Sequence, residues 1–187
     1  MFTTYRLTEH HTAGGMSRFL PYLSELQPEM FCEVSEELAE EFGLEPYGWA
    51  TIISPRGAIE ARVLVTQRMK PVRAGGKTIH QIGLPYHWGV GKEALITGDG
   101  ANDLLGMTLD PNVFIQSAKA VACAIQPGRR PRGEALVEFV NDYRDRAGIT
   151  PMTGQSRLTY ERDPETMKIA EPPTLSEPEH HEGDKLV

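Results

Sequence analysis

A cluster of aromatic and titratable side chains, Tyr86-His87-Trp88, stands directly after an apolar stretch and between Pro85 and Gly89. The apolar stretch predicts a β-strand, and Pro and Gly are typical of the points where strands end. Tyr, His and Trp supply stacking faces, a titratable imidazole and hydrogen-bond donors. This combination at the end of a strand predicts one wall of a ligand-binding pocket.

Two other regions carry the cations, amides and paired glycines that a large cofactor needs for its phosphates and its heterocycle edges. These residues are Arg6, His10, Thr12, Gly14 and Gly15 near the start of the chain, and Asn102, Asn112 and Lys119 further along. Each also has a simpler interpretation. Taken singly, Arg6 and Lys119 are more typical of solvated charges at strand ends, and the two asparagines are more typical of turns. The residues alone leave a cofactor site and an ordinary surface both open.

Other kinds of site chemistry have less support. No serine stands in a Gly-x-Ser-x-Gly motif, and Cys32 and Cys123 lie in alternating apolar contexts that predict buried free thiols. The histidines that are candidate metal ligands, His10, His11, His80 and His87, lack the i, i+4 spacing of a helical site, and Cys-x-x-Cys is absent. Two cysteines are too few for an iron–sulfur cluster. We therefore expect no catalytic residue, no metal ligand and no iron–sulfur cluster in this chain.

Length and charge restrict the class of protein. The chain has 187 residues, of which 40% are hydrophobic, enough for one domain with an extension. Its formal net charge of −7 argues against nucleic acid as a general partner. The sequence contains no apolar run of membrane-spanning length and no secretion signal at its start, so we expect no membrane span and a cytoplasmic location as encoded.

Short strands and helices are predicted to position these residues. The sequence predicts a helix capped by Ser17, with Phe19, Leu20, Leu23 and Leu26 on a face that we expect to be core, and a second helix capped by Ser35 and ended by Gly43. Alternating apolar residues predict strands at 3–7, 31–35, 49–53, 58–66, 79–85 and 120–125. The strands at 49–53 and 58–66 flank a Ser-Pro-Arg-Gly turn and predict a hairpin. About seven strands with short loops favour a mainly β fold, a closed barrel with peripheral helices.

The composition changes after residue 126, which divides the chain into three predicted regions. Residues 1–126 form the barrel domain, and residues 127–148 form a basic linker followed by an amphipathic helix at 134–147. Residues 149–187 are acidic and rich in Pro and Thr, and we expect them to be disordered. The apolar face of the helix either docks on a partner or packs back on the barrel, and the sequence leaves both open.

Three stretches resemble the C-terminal domain of the formate dehydrogenase large subunit, within the molybdopterin oxidoreductases related to dimethyl sulfoxide reductase. The first is TYRLTEH at 4–10 followed by QPEMFCE at 27–33. The second is IGLPYHWG at 82–89. The third is GDGANDL at 98–104, followed by DPN at 110–112 and by Lys119-Ala120. The resemblance runs in order over about residues 3–126 and does not include the extension.

The resemblance implies a molybdopterin dinucleotide-binding domain with a double-psi β-barrel similar to aspartate decarboxylase. The cofactor implied is bis-molybdopterin guanine dinucleotide carrying molybdenum or tungsten. The residues implied to contact it are Arg6, His10 and Thr12 in the first loop, Tyr86, His87 and Trp88 in the second, and Asn102, Asn112 and Lys119 in the third. These are positioning contacts, since a cofactor of this kind carries the redox chemistry itself.

The resemblance also implies partners. In the family, the metal-ligating residue, the active-site His and Arg and the iron–sulfur motif belong to upstream domains, so this chain is not expected to oxidise formate alone. The expected partners are the upstream catalytic portion and an iron–sulfur electron-transfer subunit, and an export signal on a partner would take the enzyme to the periplasm. Two alternatives stay open: the same domain in an enzyme for another substrate, such as an oxyanion reductase, or a free-standing barrel used as a binding module.

Overall fold

The computed structural model describes residues 1–11, 13–89, 94–106, 109–116 and 119–149. Within these ranges there are nine strands, three α-helices and two short 3-10 helices, at Ser17–Phe19 and Ala101–Leu104. The strands are β1 Phe2–Tyr5, β2 Phe31–Val34, β3 Trp49–Ser54, β4 Gly57–Val65, β5 Val72–Ala74, β6 Lys77–Ile79, β7 Ile82–Pro85, β8 Ala120–Val121 and β9 Ala124–Pro127. The helices are α1 Pro21–Leu26, α2 Glu36–Phe42 and α3 Glu134–Arg146.

The described strands form a seven-stranded mixed sheet in the order β8-β1-β7-β2-β4-β3-β9, and β5 and β6 form a separate hairpin. Strand β1 runs parallel to β7, with Phe2 opposite Ile82, and β2 runs parallel to β4, with Cys32 opposite Val63. The other neighbouring strands are antiparallel. The fold is therefore mainly β with helices at its periphery.

Two predictions based on local sequence are confirmed. Strands β3 and β4 pair from Trp49–Arg62 to Ser54–Gly57 across the predicted turn. Helix α2 begins where the Oγ of Ser35 accepts a hydrogen bond from the backbone N–H of Leu38 at 3.1 Å. It ends at Gly43, whose φ of 64° is the left-handed conformation that glycine favours.

The predicted helix capped by Ser17 is wrong. The chain forms a 3-10 turn at Ser17–Phe19, and α1 begins only at Pro21, because proline disfavours a helical conformation in the residue before it and Leu20 is extended. The expected core face is also wrong, since Phe19, Leu20 and Leu26 are 46%, 52% and 67% exposed. This segment therefore presents an apolar surface to the outside.

The predicted strand at 120–125 is two short strands with different neighbours. Strand β8 pairs with β1 at one edge of the sheet and β9 pairs with β3 at the other. Only Ala122 and Cys123 separate them. Among the described residues, β8 and β9 do not pair with each other. Both cysteines are free thiols as predicted, although only Cys32 is fully buried.

Helix α3 packs back on the sheet. Val140 on its apolar face is 2% exposed and forms a small core with Ile53 of β3 and Ala58 of β4. Of the two alternatives for this helix, the structure therefore shows the intramolecular one. The predicted disorder at 149–187 concerns residues that, apart from Ile149, lie outside the described ranges. In the part of the chain that is described, no helix has the length and apolar character needed to cross a bilayer.

Candidate functional site

The first two of the three loops in the resemblance begin at the carboxyl ends of β1 and β7. Because β1 and β7 are parallel neighbours, their carboxyl ends lie side by side. The backbone N–H of Tyr86 donates to the carbonyl of Tyr5 at 3.0 Å, and that of Leu7 donates to Nε2 of His87 at 2.6 Å. A ring nitrogen that accepts a hydrogen bond carries no proton, so His87 is neutral.

A buried aromatic cluster lies beside these carboxyl ends and consists of His10, His87 and Trp88. The ring centroid of His10 lies 5.6 Å from that of His87 and 5.2 Å from that of Trp88. Nε2 of His10 is 3.1 Å from the carbonyl of Gln27, so this nitrogen donates, and Nδ1 is 3.2 Å from the Oγ of Ser17. Both ring nitrogens of His10 are therefore engaged, and the ring joins the first loop to the segment after α1.

Glycines allow the neighbouring loops to approach this cluster. Gly14 has a φ of 75°, and a Cβ there would lie 2.5 Å from the carbonyl oxygen of His87. A Cβ on Gly98 would lie 2.7 Å from Cδ1 of Trp88. The first and third loops are thus in contact with the second at positions where only glycine fits without displacing a neighbour.

A further close approach joins the second and third loops. A Cβ on Gly89 would lie 2.9 Å from Cα of Gly100. Arg6 and Tyr86 also meet, since the guanidinium carbon of Arg6 is 4.2 Å from the centre of the Tyr86 ring, a cation–π contact. Residues 86–89 are therefore the point where all three loops come together.

The remaining predicted site residues are placed differently. Asn102, Asn112 and Lys119 are exposed, and among the described residues no hydrogen bond, ion pair or ring contact joins their side chains to the aromatic cluster. The backbone N–H of Asn112 donates to Oδ1 of Asp110 at 2.8 Å, a contact typical of a turn residue. Thr12 lies outside the described residues.

The third loop is fixed by ion pairs with the basic linker. Asp99 accepts hydrogen bonds from the guanidinium of Arg130 at 2.5 and 2.7 Å and from the backbone N–H of Glu60 at 2.9 Å. Glu60 in turn accepts from Arg129 and Arg132. Burial raises the pKa of Glu60, but the hydrogen bonds and charges of Arg129 and Arg132 outweigh burial and lower it to about 2.

Sequence reasoning missed Arg18. This side chain is 1% exposed, and neither its Nε nor its Nη1 has a hydrogen-bond partner among the described residues. Burial lowers the pKa of its guanidinium. The indole Nε1 of Trp88 is likewise buried without an acceptor in the described part of the chain. Nothing in the sequence indicates that Arg18 is buried, since arginine is rarely so.

These features fit a large anionic cofactor. Phosphate oxygens are acceptors, and the loop junction holds buried donors without acceptors together with an exposed arginine. Within the described ranges, no group of three or more His, Cys, Asp or Glu side chains is arranged to hold a metal ion. The arrangement is suited to binding and orienting a molecule.

The chain is similar in sequence to subunits of curated formate dehydrogenases. The formate dehydrogenase subunit alpha of Megalodesulfovibrio gigas is 41% identical over 120 residues, which are 63% of this chain and 12% of that subunit. The nitrate-inducible formate dehydrogenase major subunit of Escherichia coli K12 is 38% identical over 111 residues, which are 59% of this chain and 10% of that subunit. The chain therefore spans only about an eighth or less of the length of these relatives.

A solved structure shares the fold. The acetylene hydratase of Pelobacter acetylenicus superposes with a TM-score of 0.50 at 12% identity, covering 67% of this chain and 18% of that one. The family described as Molydopterin dinucleotide binding domain matches residues 1–122, most of the described chain. Together with the junction of three loops, this match shows that the chain belongs to the molydopterin dinucleotide binding domain family.

Proposed function

We propose that this chain is the C-terminal, cofactor-binding portion of a formate dehydrogenase large subunit. It binds bis-molybdopterin guanine dinucleotide carrying molybdenum or tungsten, and it takes part in the oxidation of formate to carbon dioxide when joined to the catalytic portion. The observation that carries the proposal is the junction of three loops at residues 86–89, whose glycine contacts leave no room for side chains. The two formate dehydrogenase relatives support the choice of substrate.

The chain's own residues bind and orient the cofactor. Arg6 is exposed beside Tyr86 and offers a cation at the carboxyl ends of β1 and β7. The buried aromatic cluster next to it consists of His10, His87 and Trp88. Thr12, Asn102, Asn112 and Lys119 belong to the proposed contact set as well. When bound, the cofactor supplies two-electron redox chemistry at its metal. In cofactor enzymes generally, the cofactor carries the reaction, and the protein binds and orients it.

The proposed partners are the upstream catalytic portion and an iron–sulfur electron-transfer subunit. An apolar surface formed by Met16, Phe19, Leu20, Tyr22 and Leu26 supports the first of these, because its members are 46–83% exposed. Since the chain spans only 12% of the Megalodesulfovibrio relative, a large remainder is available to cover this surface. The compartment of the assembled enzyme follows from any export signal on the partner, and the chain itself is proposed to be cytoplasmic as encoded.

We also propose that residues 1–126 form a closed double-psi β-barrel and that residues 127–148 are its linker and helix. The edge strands β8 and β9 support closure, because Val121 and Ala124 are three residues apart and therefore at most about 11 Å apart. The outer strands of a flat seven-stranded sheet would be roughly 29 Å apart. An experimental structure with these edges far apart would contradict the barrel.

The test is co-production of the chain with the proposed upstream catalytic portion, followed by analysis of the purified complex. We expect a fluorescent oxidised pterin, a guanine nucleotide and molybdenum or tungsten, together with formate oxidation by an artificial electron acceptor. Arg6→Gln should lower the pterin content several-fold because it removes an exposed cation of the site. Arg73→Gln, an exposed arginine on the separate β5–β6 hairpin, is the matched control and should leave it unchanged.

Two results would count against the proposal. A complex that assembles without pterin would favour a binding module without cofactor. A complex that carries the cofactor but reduces nitrate and not formate would favour the oxyanion reductase alternative. If the pterin content is the same in the Arg6 and Arg73 variants, the assignment of Arg6 is wrong.

A further inference from the structure

Arg18 is a buried cation without a counter-charge among the described residues. The other strongly buried charged side chains have partners: Glu33 pairs with Arg68 at 2.7 Å, and Glu60 pairs with Arg129 at 2.6 Å. Arg18 has no ion pair in the described part of the chain, and its Nε and Nη1 make no hydrogen bond there. It is also the largest of the side chains that are less than 2% exposed.

Such an arrangement is unfavourable unless an anion completes it. An arginine stays protonated in proteins, so it cannot avoid the cost of burial by losing its charge. Removing an ion from water without a partner is strongly destabilising. The guanidinium is planar and its donors form a fork that matches the oxygens of a phosphate or carboxylate. The buried fork therefore indicates a site for an oxyanion.

The backbone of Arg18 ties this site to the loop junction. Its N–H donates to the carbonyl of Gly14 at 3.2 Å, and its carbonyl accepts from the N–H of Leu95 at 3.1 Å and from the Oγ of Ser24 at 3.1 Å. Gly14 packs on His87, and Leu95 precedes the segment whose Gly98 packs on Trp88. Arg18 is thus held between the first loop and the segment that leads into the third loop.

Two arginines at the junction offer positive charge to a dinucleotide. His87 accepts the N–H of Leu7 and is neutral. The arginines at the junction are Arg6, which is exposed, and Arg18, which is buried. The buried one is shielded from salt and water, so its attraction for an oxyanion is the stronger.

From this geometry we infer that Arg18 binds the pyrophosphate bridge of the dinucleotide cofactor through its guanidinium fork, an inference that rests on the proposed function. The pyrophosphate supplies the counter-charge and the acceptors for Nε and Nη1. Gly14 of the first loop and Leu95, which precedes the third loop, both bond to the backbone of Arg18 and hold it beside the proposed contact. Arg18 is a binding residue and takes no part in the redox step.

The experiment compares Arg18→Met, Arg18→Lys and the control Arg73→Met in the co-produced complex, with and without cofactor. Methionine has a similar length and no charge, so it suits the buried position. After long dialysis we measure the guanine nucleotide released per complex on denaturation, and separately the melting temperature. We expect Arg18→Met to lose guanine nucleotide roughly tenfold to a hundredfold faster than wild type, Arg18→Lys to lie between, and Arg73→Met to match wild type.

The melting temperatures separate a ligand contact from a structural role. In complex made in cells that cannot synthesise the dinucleotide, Arg18→Met should melt higher than wild type, because an unpaired buried charge has been removed. In loaded complex it should melt lower. A lower melting temperature in both states means that a carboxylate of the protein is the partner, and this overturns the inference.

The nucleotide measurement separates the two levels of proposal. Wild-type complex that holds no guanine nucleotide overturns the proposed function and this inference together. Wild-type complex that holds it, with Arg18→Met holding the same amount at the same rate of loss, overturns only the inference.

Discussion

At the level of single residues, both histidines of the site hydrogen-bond to groups of the protein itself. His10 bonds to the carbonyl of Gln27 and to the hydroxyl of Ser17, and His87 accepts the backbone N–H of Leu7. Both rings are almost completely buried. Glycines and aromatic rings set the shape of the junction, and Arg6 and Arg18 lie beside it.

The paired glycines give a direct test of that shape. In Gly14→Ala the new Cβ would lie 2.5 Å from the carbonyl of His87 at a φ of 75°, whereas Gly15 has nothing within 4 Å. We expect Gly14→Ala to lower the free energy of unfolding by about 2–4 kcal/mol. Gly15→Ala is the matched control and should change it by about 0.5 kcal/mol or less. Denaturant titration followed by tryptophan fluorescence measures both, and equal effects would show that the first loop does not pack on His87.

At the level of elements, the basic linker is bound to the sheet rather than free. Its arginines pair with Glu60 of β4 and with Asp99 of the third loop. The helix that follows buries Val140 against β3 and β4. The extension is therefore attached to the third loop and to β4 by ion pairs. The residues that the sequence predicts as a linker are bound to the rest of the described chain.

The carboxylate of Glu60, which pairs with Arg129 and Arg132 of the linker, predicts that the stability of the protein depends on pH. The pKa of Glu60 is about 2 in the folded protein against an ordinary value of 4.5, so its contribution is fully present above about pH 4.5 and is lost as the pH falls towards 2. The contribution is no more than about 3 kcal/mol. Because the arginine partners are half-exposed and regain water, Glu60→Gln should cost about 1–2 kcal/mol at pH 7.

The measurement is the melting temperature of wild type, Glu60→Gln and Glu45→Gln between pH 2 and pH 7. Glu45 is exposed and serves as the control for loss of one negative charge. The gap between wild type and Glu60→Gln should close as the pH approaches 2, while Glu45→Gln follows wild type throughout. A gap that is independent of pH would show that the ion pairs do not hold the linker.

At the level of the whole molecule, one feature that the fold leaves unexplained is the apolar surface around α1. Tyr22 is 83% exposed and Leu26 is 67% exposed, on a segment adjoining the loop that carries Arg18. A surface of this kind next to a binding site is typical of an interface. It fits the proposal that the remainder of a larger subunit covers this side of the chain.

The corresponding experiment replaces Leu20 and Leu26 together by glutamine. Both side chains are exposed, so the free energy of unfolding of the chain alone should change by about 0.5 kcal/mol or less. Affinity for the catalytic portion should fall by about tenfold or more, because buried apolar anchors dominate interfaces. Val72→Gln, at an exposed apolar position on β5, is the control and should leave the affinity unchanged. Unchanged affinity in the double variant would place the interface elsewhere.

The sequence alone was sufficient for three features that depend on near neighbours. The cap formed by Ser35, the end of α2 at Gly43 and the β3–β4 hairpin each need only a few consecutive residues, and all three are confirmed. The resemblance in three stretches also identified the family and named Tyr86, His87 and Trp88 as candidate cofactor contacts, and the structure places them at the junction. Local hydrogen bonding and side-chain pattern carry this information, since neither depends on the rest of the chain.

Tertiary structure decided what depends on contacts distant in sequence. Ser17 bonds to His10 instead of capping a helix, and Arg18 is buried although arginine is typically exposed. Asp99 and Glu60 hold a linker that lies about 30 to 70 residues away along the chain. Each of these outcomes depends on which polar groups are buried and which partners they find there. Those partners come from distant parts of the chain and are brought together only in the folded protein. The junction at residues 86–89 is therefore a product of packing, and the sequence shows only the residues that take part in it.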